Sequence, residues 1–71
     1  MRTQRRATVN TDLLNLRAAA GLDRGVIAQM VTGDDAYVID GPVSADGFTW
    51  YQVETIYGTG WVAGEFLLPN A

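Results

Sequence analysis

From residue 7 onward, short runs of apolar and β-branched residues alternate with clusters of glycine, asparagine, aspartate and proline. That spacing predicts short strands separated by turns. Residues 7–9 form a brief strand and residues 10–12 a turn. In Leu13-Leu14-Asn15-Leu16-Arg17, period-two alternation puts Leu14 and Leu16 on one face and Leu13, Asn15 and Arg17 on the other. Residues 18–25 have no strand pattern. Their three alanines favour a helix, but Gly21 and Gly25 leave it too short to be stable, so this is a long loop. Strands follow at 26–31 and 36–40, with a turn at 32–35 between them. The breaker pair Gly41-Pro42 ends the second of these strands. Residues 43–47 read as a polar loop with Asp46-Gly47 turn chemistry. Residues 49–55 and 61–63 are two further strands, joined by a tight turn in which Gly58 and Gly60 supply positive φ. Residues 64–66 make a single helical turn, and Leu67-Leu68 a last strand before Pro69. The whole is all-β: a small barrel or sandwich of five to six short antiparallel strands. Residues 7–68 form the domain, 1–6 a flexible basic N-terminal tail and 69–71 a C-terminal tail.

Size and composition narrow the function classes. A domain of 71 residues buries only roughly 60% of the surface that its unfolded chain exposes, which leaves no room for a deep catalytic cleft beside the core. Cysteine is absent, so neither a disulfide nor a thiolate zinc site supports the fold, and packing alone must do so. Histidine is absent as well, which removes the commonest general base and the commonest metal ligand. Ser44 is the only serine and has no histidine or lysine near it in sequence to activate it. Asp34 and Asp35 are adjacent and point in opposite directions, so they do not flank one bond. The scattered carboxylates lack the spacing of a calcium loop. No catalytic residue, metal site or cofactor is expected.

Charge is unevenly distributed. Arg2, Arg5 and Arg6 precede a body in which two arginines face eight acids, a balance of −6. Such a body repels phosphate backbones, so nucleic acid is a poor partner. No apolar run approaches the roughly 20 residues of a membrane span, and residues 1–6 lead into no signal-peptide core.

The candidate chemistry is aromatic. Trp50, Tyr51, Tyr57, Trp61 and Phe66 crowd into the last third of the chain. If Val53 and Val62 face the core, alternation sends Tyr51 inward and puts Trp50 and Trp61 on the outer or groove side. Trp50 is then either a structural cap on the barrel or a ligand contact. Trp61 either covers a barrel edge or offers a stacking platform for a sugar or peptide. Tyr57 sits beside a hairpin turn, where rings are commonly exposed. Asn15 either pins the neighbouring loop or, with Arg17, forms a polar rim suited to a peptide's amides and carboxylates. The other role for Arg17 is a surface ion pair, which is worth little.

Leu14-Asn15-Leu16-Arg17, Val26-Ile27, Gly33, Trp50-Tyr51-x-Val53, Gly60-Trp61-Val62 and Phe66-Leu67 stand in the order and spacing of the bacterial SH3 (SH3b) domain, which the chain resembles from about Thr8 to Leu67. It departs from that pattern at Ala18-Ala19-Ala20, where the family often has serine, glycine and proline, and the missing proline implies a looser loop. The resemblance implies a small SH3-like barrel with one short 3-10 turn near the C-terminus. It places Phe66 at the edge of a groove beside the long first loop, as an alternative to a plain core role. It also implies a non-catalytic module of cell-wall hydrolases and other exported proteins. Such a module binds peptidoglycan peptide or glycan and tethers a partner domain, with any export signal outside these residues. The alternative is a structural or protein-interaction module that packs on a neighbouring domain or on its own copy. The isolated domain is expected to be monomeric.

Overall fold

The structure, a computed structural model, describes residues 5–69. Seven strands run in chain order: β1 (Arg5–Val9), β2 (Leu13–Arg17), β3 (Val26–Val31), β4 (Asp35–Ala45), β5 (Phe48–Thr55), β6 (Gly58–Ala63) and β7 (Leu67–Pro69), with a 3-10 turn at Gly64–Phe66 between the last two. They form one curled antiparallel sheet in the order β3-β2-β6-β5-β4-β1-β7. This is the small all-β SH3-like fold expected. Seven strands form where five to six were expected, and the short first and last pair with each other, Ala7 opposite Pro69 and Val9 opposite Leu67.

Alternation builds the core. Leu14 and Leu16 of β2, Met30 of β3, Ala36 of β4, Val53 of β5, Val62 of β6 and Val9 of β1 are buried together, with Ala28, Val38, Tyr51 and Leu67 packed against them. Fully burying each of the larger side chains stabilises the fold by about 1.5–3 kcal/mol. Tyr51 and Val53 therefore face inward, as their register with Val62 and Gly60 requires. The end of β1 ties to the β3–β4 turn, where Val9 N–H donates to the Asp34 carbonyl and Gly33 N–H to the Val9 carbonyl.

Several boundaries differ from the sequence reading, each for a backbone reason. β1 begins at Arg5, so Arg5 and Arg6 pair with Val38 and Tyr37 and do not belong to a tail. Strand pairing uses main-chain groups and tolerates the charged side chain of Arg6, which is exposed. Pro69 likewise belongs to β7. What was expected of residues 1–4 and 70–71 lies outside the described residues. β4 does not stop at Gly41-Pro42, a cis peptide bond, and runs on to Ala45. It absorbs the pair in register shifts between Val38 and Val43, where proline's missing N–H interrupts no ladder bond. The supposed loop at 43–47 thus shrinks to the turn Asp46-Gly47, with φ of 51° and 81°, the two positive values that a type I′ hairpin demands. At the next hairpin only Gly58 has positive φ. Gly60 serves a different purpose. A Cβ there would lie 2.7 Å from the Arg17 carbonyl oxygen and 2.8 Å from Leu16 Cγ, so its bare backbone lets β6 press against β2.

Candidate functional site

On the face away from the core, a groove of about 150 Å³ lies between β2, the long loop at 18–25 and the 3-10 turn. Trp50 and Ala63, opposite each other on β5 and β6, contribute to its lining. Phe48 alternates with Trp50 along β5 and meets it edge-on, with centroids 6.3 Å apart and planes at 72°. Phe66 of the 3-10 turn packs against Phe48 at 6.1 Å. Both oxygens of Glu65 accept from the Thr49 N–H, at 3.2 and 3.1 Å, which fixes that turn against β5. Along the other wall run Leu13, Asn15 and Arg17, the outward set of β2, with Leu22 from the loop.

Trp50 occupies the groove-facing side but is only 1% exposed. Its indole N–H is spent on the Ala45 carbonyl at 2.8 Å. Alternation gives the face of a residue and is silent on what covers it. Here Phe48 meets the ring edge-on with Phe66 packed behind it, and Trp50 is a buried hydrogen-bonded cap under the groove. Phe66 keeps 36% of its surface in water and forms a wall. Asn15 Oδ1 accepts from Gln29 Nε2 at 3.1 Å, a cross-strand pair and not a bond to the loop. Arg17 makes no ion pair among the described residues and donates from its NH1 to the Arg24 carbonyl at 2.9 Å. With Ala18 N–H donating to the Gly25 carbonyl, this closes the base of the loop. The far side of the loop is tied by Leu22 N–H donating to Asp46 Oδ2 at 2.7 Å. The loop is thus anchored at both sides without a proline.

Trp61 is half-buried on the same face, opposite Arg17 and Gln52, but does not line the groove. Tyr57 lies outside it too. Its hydroxyl donates to Asp34 Oδ2 at 2.8 Å, and the phenol pKa is raised above its ordinary value, first by that hydrogen bond, then by desolvation and by the Asp34 charge. Asp34 also accepts from Val31 N–H, as a turn residue does. Of the six candidates, Asn15, Arg17, Trp50 and Phe66 converge, while Trp61 flanks them and Tyr57 stands apart. Phe48, Leu13 and Leu22 are wall residues that were missed. The i, i+2 relation of Phe48 to Trp50 was the available signal, whereas a loop leucine carries none. The groove offers ring faces, a side-chain amide and a guanidinium, which is the equipment of a binding surface for a polar chain with apolar parts.

Comparison with known proteins agrees with this architecture. Over 56 residues, 75% of its length, the chain is 38% identical to a serine/threonine-protein kinase D of Synechocystis sp. (strain ATCC 27184 / PCC 6803 / Kazusa), and it spans 11% of that protein. No solved structure matches it. The family model described as "Bacterial SH3 domain" matches residues 12–67, from the start of β2 through the 3-10 turn to Leu67, and so the chain belongs to the bacterial SH3 domain family.

Proposed function

We propose that the domain is a non-catalytic binding module whose groove recognises a peptide or glycan of the peptidoglycan cell wall and so tethers a partner domain to its substrate. The observation that supports this most is the convergence of Phe48, Phe66 and Leu22 with Asn15 and Arg17 around one shallow groove. Affinity from such a groove is modest, and tethering makes it useful by raising effective concentration. This reading implies a location in the cell envelope. Titration with purified muropeptides and with intact sacculi, followed by tryptophan fluorescence, should give a saturable change. Phe66→Ala should weaken binding at least fivefold, because a ring wall is lost at about 1 kcal/mol or more. A flat titration would sink the proposal.

A second reading has its own support. Leu13, Val26, Ile27 and Val31 of β2 and β3 are about half exposed, and exposed apolar strips mark interaction surfaces. On this reading the domain packs against a neighbouring domain or its own copy. Size-exclusion chromatography with light scattering separates the two: a stable dimer that shields these side chains favours the second.

A further inference from the structure

A second and larger cavity, about 590 Å³, opens at the seam of β1, β7 and the middle of β4. Its size falls within the usual range for small-molecule sites. It exists because the strands disengage there. β1 pairs with β4 only as far as Val38, and the β4–β5 register slips between Asp40 and Val43, so Gly41 and Pro42 find no partner on β5. Tyr51 reaches into the gap and is held by two glycines. A Cβ on Gly64 would lie 2.5 Å from its Cε2, and one on Gly41 would lie 3.0 Å from its Cδ1 and 2.8 Å from the Trp50 carbonyl oxygen. Neither position has room for a side chain, so the ring is set in place by the backbone.

The walls carry opposite charges that do not satisfy each other. Arg6 and Asp40 both line the cavity, yet the ion pair found among the described residues is Arg24 with Asp23. Asp40 Oδ1 accepts from its neighbour's Gly41 N–H. The Arg6 guanidinium and the Tyr51 hydroxyl have no hydrogen-bond partner among the described residues. A cation, an anion and a fixed phenol ring around one space select a ligand with complementary charges at its two ends.

We propose that this seam is a second binding site, for a short peptide with free termini, its carboxylate on Arg6, its ammonium on Asp40 and its body against Tyr51. The site is independent of the groove, and the proposal does not rest on what the groove binds. Both charges are exposed to solvent, so each contact is worth about a two- to fivefold change in affinity.

The test is a two-dimensional ¹H–¹⁵N NMR titration of the 71-residue chain with tri-alanine, alongside its C-amidated and N-acetylated forms. Saturable shifts are expected at the amides of Asp40, Gly41, Tyr51 and Gly64. C-amidation should weaken binding about two- to fivefold in the parent chain and have no effect in Arg6→Gln. N-acetylation should behave in the same way against Asp40→Asn. The spectrum of each variant reports its own folding. Absence of shifts at these amides up to roughly 20 mM tripeptide, shifts confined to Leu22, Phe48 and Phe66, or indifference to capping would each overturn the proposal.

Discussion

Trp50 and Trp61 lie on adjacent strands and the same face of the sheet, yet one is sealed and the other half open. The difference comes from what lies above them. Against Trp50 stands Phe48, next to a type I′ turn, backed by Phe66 on a 3-10 turn that Glu65 pins to β5. Among the described residues no ring packs on Trp61 in this way. Identical residues under the same alternation rule thus become a structural cap and a surface ring.

The strongest attempt to break this contrast is to truncate both. Trp50→Ala should lower the unfolding free energy by about 3–5 kcal/mol, comparable to the whole stability of a domain this small. Trp61→Ala should cost about 1 kcal/mol or less. Urea melts monitored by far-ultraviolet circular dichroism measure both, and equal costs would erase the distinction.

A subtler change sharpens it. Asp46→Gly keeps the positive φ of the turn, removes the acceptor of Leu22 N–H and releases the loop that helps to wall the groove over Trp50. The expected loss is about 1 kcal/mol. Acrylamide quenching of Trp50, isolated in a Trp61→Phe background, should rise toward that of Trp61 isolated by Trp50→Phe. If Trp50 stays protected, the rings alone seal it.

The smallest effect concerns Tyr57, an exposed ring fixed by a single hydrogen bond. Its phenol pKa is raised by the bond to Asp34. The folded state therefore holds the proton more tightly than the unfolded chain. The stability that this linkage contributes is complete below the ordinary tyrosine pKa and is lost as pH climbs from about 10 through the folded value. Spectrophotometric titration should show one tyrosine ionising late, and Asp34→Asn should return it to the others.

Much of this architecture was legible in the sequence. The period-two pattern of Leu14 and Leu16, the Asp46-Gly47 turn and the inward Tyr51 and Val53 are local matters, and local rules read them. What failed was non-local. The passage of β4 through Gly41-Pro42 depends on a register slip against β5. The ring that meets Trp50, Phe48, is itself backed by Phe66, eighteen residues further along the chain. The role of Gly60 follows from the approach of a carbonyl on β2. In the candidate site, the residues on strands were recoverable. The loop's Leu22 was not, because its position is set by a hydrogen bond to a turn 24 residues away.

The pairing of Ala7 with Pro69 has a mechanical consequence. β1 enters and β7 leaves at the same end of an antiparallel pair, their backbones about 5 Å apart. A pull applied through both flanks would open that pair like a zipper, one bond at a time, and would not shear all its bonds at once. The domain is then compliant to stretching along its own chain.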